Sequence, residues 1–271
     1  MSLRTKTLGA SALALSLLAG VLLLGLWVGD RGLATALEAR NLPPCPSHVF
    51  GTDWLGRDML TRVLLGLRVS IGVGSAAAGI GAVFGLFLGL AAAGLGPKMD
   101  LVVSWLVDLA MSLPHLVFQI LIAFVAGGGA RGVVIAVAAT HWATIARVMR
   151  AEALQVKSAD YVQLSRRLGR SSWWVARRHV LPHLWPQFLV AVLLLFPHAI
   201  SHEAALSFIG IGLSPHMPSM GILLSESLRH LSTGYWWLAV IPGAALVLVV
   251  KLFDGLAENL RRLLNPRTSQ E

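Results

Sequence analysis

Residues 69–96 read VSIGVGSAAAGIGAVFGLFLGLAAAGLG and contain no charged side chain. Crossing about 30 Å of hydrocarbon takes roughly 20 apolar residues in a helix. A helix also pairs the backbone groups of this stretch with one another, where lipid offers them no partner. Gly81, Gly85 and Gly89 recur every four residues and share one helix face. This spacing favours close packing against another helix over the general glycine richness of membrane helices.

The whole chain has the composition of a membrane protein. Of its 271 residues, 56% are hydrophobic and 13% are charged, and its mean hydropathy is +0.72. A typical soluble domain carries about 25% charged residues. So few charges could not cover a water-facing surface, which argues against a soluble enzyme. Cys45 is the only cysteine, so the chain can form no internal disulfide and no cysteine-based metal site.

Further apolar stretches predict an all-α integral membrane protein with about six transmembrane helices. The first stretch could also be a cleaved signal peptide, but it is longer than the roughly 7–15 residues of a signal h-region, so we favour a retained helix. The third stretch contains Pro114, which could kink it. The predicted spans are residues 7–29, 69–96, 101–125, 132–146, 186–210 and 235–251.

The spans divide the chain into four parts. An N-terminal helix (1–30) is followed by an extracytoplasmic segment (31–68), a core (69–255) with a cytoplasmic loop (148–185), and a cytoplasmic tail (256–271). The net charge is +9, and eight arginines and lysines fall between residues 147 and 178. Cytoplasmic loops carry such an excess. We therefore expect both termini and this loop in the cytoplasm, and we attribute the charge to topology rather than to nucleic-acid binding.

Residues 160–186, DYVQLSRRLGRSSWWVARRHVLPHLWP, are too polar to span the membrane. Gly169 stands where one helix could end, and Ser171 or Ser172 could cap a second. Pro182 and Pro186 would then mark the start of the fifth span. Such a helix-turn-helix could dock in a partner's groove. Alternatively, it could lie in the membrane interface with its tryptophans as lipid anchors.

An outer motif lies between the first two spans, where residues 51–58 read GTDWLGRD. The Thr-Asp and Gly-Arg-Asp sequences predict tight turns that cap a short amphipathic helix. A calcium loop is a poor alternative, because the carboxylates are too few and the EF-hand spacing is absent. The residues of the outer motif are Gly51, Thr52, Asp53, Gly56, Arg57, Asp58 and, just beyond, Arg62.

Ionisable side chains inside the predicted spans are costly to bury and usually face a cavity or a partner. His198 and His202 are four residues apart and share a helix face. They could present two imidazoles to a metal ion, or they could hydrogen-bond neighbouring helices. No metal ligand is assigned on this basis. Buried ionisable residues of membrane proteins often mark the pathway of an ion or substrate. The candidates for such a pathway are Asp108, His141, His198, His202 and Glu203.

Three segments together resemble the C-type permease subunits of dipeptide, oligopeptide and nickel ABC importers. Gly169 with the later Leu181-Pro182 is similar to the coupling-loop signature of binding-protein-dependent importers. Residues 163–165 (QLS) replace its Glu-Ala-Ala, and His179 replaces an apolar residue. The outer motif and the stretches LSFIGIGLSP (206–215) and PSMG (218–221) are similar to the same family. The resemblance covers about residues 50–266.

The resemblance implies a type I ABC importer permease fold in a bacterial inner membrane. A second permease subunit, expected to differ from this one, two ATPase subunits and an extracytoplasmic binding protein would complete the complex. ATP and magnesium would bind the ATPases, and no cofactor this chain. The sequence contains no G-x-x-x-x-G-K-[ST] phosphate loop, which fits separate ATPases. The resemblance assigns ATPase coupling to Ser165, Arg166, Leu168, Gly169, Arg170, Ser171, Leu181 and Pro182.

The transported substrate is a further expectation. Residues 140–142 (THW) and 202–205 (HEAA) resemble permeases of nickel or metal-chelate importers more than those of peptide importers. The sequence thus favours a metal or metal chelate, with a di- or oligopeptide as the alternative. His202-Glu203 begins like H-E-x-x-H, but residue 206 is leucine, so no zincin site and no enzyme is expected. A self-contained secondary transporter would need its own ion site and perhaps inverted repeats, and no clear repeat is visible.

Overall fold

The computed structural model describes residues 3–29, 33–214 and 216–264, and these form an all-α structure without a named strand. Predictions that concern Pro215 and the tail beyond Leu264 lie outside the described residues. The helices are α1 (Leu3–Val28), α2 (Met59–Gly94), α3 (Pro97–Ser112), α4 (His115–Val125), α5 (Gly129–Ser158), α6 (Asp160–Arg167), α7 (Ser172–Val175), α8 (Leu181–Phe208), α9 (Met220–Leu228) and α10 (Trp237–Leu264).

The prediction of about six apolar helices is confirmed. Among the described residues, α1, α2, α5, α10 and the run Ser172–Phe208 are each long and apolar enough to cross a membrane. The pair α3 and α4 adds a sixth if the two form one span. The helix α8, which belongs to the run Ser172–Phe208, contacts α2, α5 and α10, so it lies at the centre of the helix packing.

The third predicted span, residues 101–125, is interrupted near Pro114, where a kink was expected, and α3 and α4 meet there at an angle of 96°. Pro114 stands in the break and lacks a backbone N–H. It also disfavours helical geometry at the residue before it. Leu113 accordingly is extended, with φ −83° and ψ 142°, and α3 ends at Ser112. The proline therefore breaks this segment instead of merely kinking it.

The glycine face of α2 packs against α5, as its spacing predicts. A Cβ atom added to Gly85 would lie 2.5 Å from the backbone oxygen of Trp142, and one added to Gly89 would lie 2.6 Å from that of Ala146. Such distances are well inside van der Waals contact, so only glycine lets the two backbones approach this closely. The contact between α2 and α5 fixes the position of the residues that α5 carries.

Two helices extend further than the predicted spans. Helix α2 begins at Met59, ten residues before the span at 69–96, so the outer motif caps this spanning helix and not a short separate one. Helix α10 runs to Leu264, so the boundary placed at residue 255 falls inside a helix. Both extra lengths are more polar than the apolar centres, and hydropathy alone does not mark them.

The predicted helix-turn-helix in the cytoplasmic loop is present. Helix α6 ends at Arg167, and Gly169 has a φ of +81°, the left-handed conformation that glycine adopts after a helix. The side chain of Ser171 accepts a hydrogen bond from the backbone N–H of Trp174 and caps α7. A π turn, Ala176–Val180, then joins α7 to α8 without a loop. Pro182 therefore lies in the first turn of α8, where the sequence places the start of the fifth span, and Pro186 lies inside the helix.

Candidate functional site

Three histidines meet where α4, α5 and α8 come together. His115 is the first residue of α4, His141 lies near the middle of α5, and His202 lies near the end of α8. Ring nitrogens of the three side chains all lie within 4.8 Å of one another. The centroid of the His141 ring is 4.7 Å from that of His115 and 5.2 Å from that of His202. These three residues are called the histidine cluster below.

The structure brings together only two of the five predicted pathway residues. His141 and His202 belong to the histidine cluster, whereas His198 is exposed one turn earlier on α8. Asp108 lies elsewhere, on an open cavity between α3 and α5. It accepts a hydrogen bond from Arg147 at 2.7 Å, and its side chain is 71% exposed. A shared pathway that includes Asp108 therefore has no support in this geometry.

Glu203 follows His202 in the chain but makes a different set of contacts. It is fully buried and accepts a hydrogen bond from the hydroxyl of Ser207 at 2.9 Å. That hydroxyl in turn accepts a bond from the backbone N–H of Leu213 at 3.1 Å. Glu203 therefore holds the turn after α8 against the helix, a structural role that the sequence prediction did not assign to it.

A buried amide network supports the histidine cluster. Gln119, one turn along α4 from His115, is fully buried and donates to Thr140 Oγ1 at 2.9 Å. The same amide nitrogen lies 3.3 Å from His115 Nδ1. His141 Nδ1 lies 2.9 Å from the carbonyl oxygen of Val137. Both rings are thus held by neighbours on their own helices, and neither His115 nor Gln119 was predicted as a site residue.

Asp53 is the centre of the outer motif. Its Oδ1 accepts from the backbone N–H groups of Leu55 and Arg57, each at 2.8 Å. Its Oδ2 accepts from Arg57 Nε at 2.6 Å and from Arg62 at 2.8 Å. Arg62 also donates to Glu226 of α9 at 2.7 Å. Asp53 and Arg62 are only 1% and 3% exposed, so this ion network joins the start of α2 to α9 from inside the protein.

The other residues of the outer motif shape its turns. Gly51 and Gly56 have positive φ angles of 73° and 77°. A Cβ atom on Gly56 would lie 1.8 Å from the backbone oxygen of Ala36. Thr52 is fully buried and hydrogen-bonds the backbone of the preceding loop, and Asp58 caps α2 by accepting from Thr61 N–H at 2.9 Å. The predicted turns and cap are therefore present, and these residues build the loop that precedes α2.

The predicted coupling residues lie on and around residues 164–174, here called the coupling turn. Its base is anchored by Val162 and Val175, which are buried against α2 and α5. Its tip points outward, and Leu168 and Trp173 are 74% and 72% exposed. Ser165, Arg166, Gly169, Arg170, Ser171 and Pro182 are at least partly exposed, as is Leu181.

His179 braces the coupling turn from behind. Its ring lies 5.4 Å from that of Tyr161 on α6 and 5.2 Å from that of Trp174 on α7, measured between centroids. Its Nε2 lies 3.1 Å from the hydroxyl of Ser165. The residue that departs from the signature is therefore one that fixes the angle between the two short helices. The guanidinium of Arg170 lies over the Trp174 ring at 4.8 Å, which stiffens the tip further.

Comparisons with known proteins agree on one family. The profile described as "Binding-protein-dependent transport system inner membrane component" matches residues 81–269. The dipeptide transport system permease protein DppC of Bacillus subtilis is 33% identical over 232 residues, which cover 86% of this chain and 72% of that protein. A putative peptide transport system permease protein of Brucella suis is 34% identical over 272 residues, with coverages of 100% and 90%.

Two further comparisons concern an oligopeptide permease and a solved structure. The oligopeptide transport system permease protein OppC of Bacillus subtilis is 33% identical over 233 residues, covering 86% of this chain and 76% of that protein. A crystal structure of an amino acid ABC transporter with histidines superimposes with a TM-score of 0.59 at 21% identity. It covers 76% of this chain and 95% of that one. At this identity the similarity establishes the fold alone.

Proposed function

This chain belongs to the family of binding-protein-dependent transport system inner membrane components, and we propose that the substrate it helps to import is a di- or oligopeptide. It is a multi-pass permease subunit of an ABC importer, with the all-α type I permease fold that the sequence predicts. The peptide proposal rests on relatives about one third identical over most of the chain, which are named as dipeptide and peptide permeases. The metal or metal-chelate substrate that the sequence favours finds no support in those names.

The coupling turn supports a partnership with separate ATPase subunits. Its anchored base and exposed apolar tip suit insertion into a groove of a soluble protein. We propose that two ATPases, which bind ATP and magnesium, contact residues 164–174, and that a second permease and an extracytoplasmic binding protein complete the complex. Closure of the ATPases would then move the turn and switch the permeases between outward and inward access.

Uptake of labelled peptides tests the substrate. Cells that lack this chain should lose ATP-dependent uptake of di- or oligopeptides, and the intact gene should restore it. Uptake that persists after the proton gradient is collapsed but stops when ATP is depleted excludes a secondary transporter. Peptide uptake that is unchanged in cells lacking the chain, with no other peptide system active, would contradict the proposal.

The proposed orientation places the coupling turn and both termini in the cytoplasm and the outer motif outside. Cys45, the only cysteine, lies before the outer motif. A hydrogen bond with the Ser47 side chain lowers the pKa of the Cys45 thiol, which favours the reactive thiolate. An impermeant maleimide should label Cys45 in intact spheroplasts. In a Cys45→Ser background, Leu168→Cys should react only after permeabilisation, and the reverse pattern would overturn this orientation.

A metal-bound cargo is the second candidate substrate. The observation that favours it is the histidine cluster, since imidazole is a common ligand of zinc, copper and nickel ions. Under metal limitation, cells that lack this chain would then contain less nickel, cobalt or zinc than complemented cells. Equal metal contents in the two strains would exclude the metal-bound cargo, and the peptide would remain as the proposed substrate.

A further inference from the structure

We propose that His115, His141 and His202 bind one divalent first-row transition-metal ion and leave a fourth coordination position open. The three imidazoles come from three different helices and converge on one point. Among the described residues, the cluster contains no carboxylate and no thiol. The use of the open position by cargo rests on the import function proposed above, whereas metal binding by the histidines does not.

The distances suit a site that closes around an ion. Metal–nitrogen bonds of about 2.0–2.1 Å in a tetrahedral site place neighbouring nitrogens roughly 3.4 Å apart. The ring nitrogens of the histidine cluster lie within 4.8 Å of one another. Each ring therefore has to move inward by less than about 1 Å to reach this spacing.

The surroundings of His141 present the correct nitrogen to a metal. Its Nδ1 lies 2.9 Å from the carbonyl oxygen of Val137, which can accept a hydrogen bond but cannot donate one. The proton of the neutral ring therefore belongs on Nδ1, and Nε2 keeps its lone pair. Metal-binding histidines in proteins commonly donate their second N–H to a backbone carbonyl in this way, which fixes both tautomer and ring orientation.

Gln119 can give His115 the same support. Its Oε1 is buried and has no hydrogen-bond partner among the described residues, while its Nε2 lies 3.3 Å from His115 Nδ1. A half-turn of the amide places the oxygen where it accepts the His115 Nδ1–H. His115 Nε2, which lies 3.4 Å from the carbonyl oxygen of Thr140, then carries the lone pair that binds the ion. Gln119 thus carries an acceptor that a metal-bound His115 can use.

The ligand set also defines what can fill the open position. Three neutral imidazoles leave a divalent ion with both positive charges, and an isolated charge is costly in an apolar environment. An anionic fourth ligand reduces that cost. A carboxylate, such as the C-terminus of a peptide or an arm of a chelating molecule, has the required charge. His115 and His202 are only partly buried, so the cluster is accessible to such a group.

Cobalt is the probe for direct binding. The full-length protein, carrying Cys45→Ser and held in lipid nanodiscs with its copurifying subunits, is titrated with Co²⁺ alone and without nucleotide. Tetrahedral Co²⁺ absorbs visible light far more strongly than the aqueous ion. We expect one such site per chain, and an affinity at least tenfold weaker in His115→Ala, His141→Ala and His202→Ala. His198→Ala, one turn from His202 on the same helix, is the matched control and should bind normally.

A ligand exchange tests direct coordination in a variant that keeps a donor atom. His202→Cys should bind Co²⁺ and add a sulfur-to-cobalt charge-transfer band in the near ultraviolet, which a purely structural role of residue 202 cannot produce. Gln119→Leu should weaken binding by about 10–100-fold, which is the typical effect of removing a hydrogen-bond partner of a metal ligand. Absence of the tetrahedral spectrum in the parent protein, or loss of it in His198→Ala, would overturn the proposal. Because these measurements involve no transport, they fail or succeed independently of the peptide proposal.

Discussion

The outer motif and the coupling turn are both short and both contain glycine and arginine, yet the structure uses them in opposite ways. In the outer motif, Asp53 and Arg62 are almost fully buried and bonded to each other. In the coupling turn, the side chains at the tip, Leu168 above all, are exposed. The first region is therefore part of the protein's own packing, and the second is a surface offered to another protein.

This contrast separates two consequences of mutation. A change in the outer motif removes partners from buried charges, so it should act on stability. Replacement of an exposed side chain at the tip of the coupling turn, such as that of Leu168, removes no buried contact, so it should act on assembly with the ATPases more than on stability. Four substitutions test the contrast, in order of the expected loss of stability.

Asp53→Ala should have the largest effect. It leaves the buried guanidinium of Arg62 with a single partly exposed partner, Glu226. Breaking a buried ion pair by removing one partner typically costs about 3–5 kcal/mol. The thermal unfolding temperature and the amount of protein in the membrane should both fall. Asp108→Ala is the matched control, because its pair with Arg147 is exposed and should contribute less than about 1 kcal/mol. Equal stability of the two variants would contradict the structural role of the outer motif.

Gly169→Val should have an intermediate effect on stability and a strong one on coupling. The space around Gly169 is open, so the cost is in the backbone, where its φ of +81° disfavours other residues. Left-handed geometry costs an ordinary residue roughly 1–2 kcal/mol, and asparagine less. ATP hydrolysis should continue while transport falls, whereas Gly169→Asn should retain both. If Gly169→Val transports as well per ATP as the parent complex, the turn is not the coupling element.

Ser171→Ala should cost about 1 kcal/mol, because it removes the side-chain acceptor for the N–H of Trp174 at the start of the second short helix. Thermal unfolding measures the loss. Ser171→Asp restores an acceptor at the same position and should recover most of it. If Ser171→Asp unfolds at the same temperature as Ser171→Ala, the cap does not stabilise the turn.

Leu168→Glu should change stability least. The side chain is exposed, and surface substitutions of this kind usually stay within about 0.5 kcal/mol. The ATPase subunits should nevertheless no longer copurify, because a charge replaces the apolar group proposed to enter their groove. Leu168→Met keeps an apolar side chain and should retain the ATPases. Normal ATPase recovery with Leu168→Glu would argue that the tip contacts lipid instead.

Local signals account for the parts that the sequence predicted well. The apolar stretch of α2 and its glycine spacing lie within one helix, and the left-handed Gly169 and the cap at Ser171 lie within one short turn. Each depends on neighbours a few residues away, so propensity and periodicity are sufficient. The break at Pro114 was anticipated only as a kink, because its angle depends on how α3 and α4 pack against the rest of the protein.

Long-range contacts account for what the sequence missed. Glu226 binds Arg62 across 164 residues, and no pattern connects them. The histidine cluster depends in the same way on three helices meeting. The signal for His115 was available, since it is an ionisable residue inside the predicted third span. Its contact with His141 and His202 was not, because helical spacing relates His202 only to residues of its own helix, such as His198.

The unbroken helical run from Ser172 to Phe208 has a mechanical consequence. At 1.5 Å per residue, about 45 Å of continuous backbone connects Ser172 to His202. If the whole run tilts by about 10° about one end, its other end shifts by roughly 8 Å over that length. The helix bends most easily at the π turn and at the internal Pro186 and Pro197, where the regular hydrogen-bond pattern is interrupted. A displacement of the coupling turn therefore reaches the end of α8 that carries His202 to the extent that the helix does not bend at these three points.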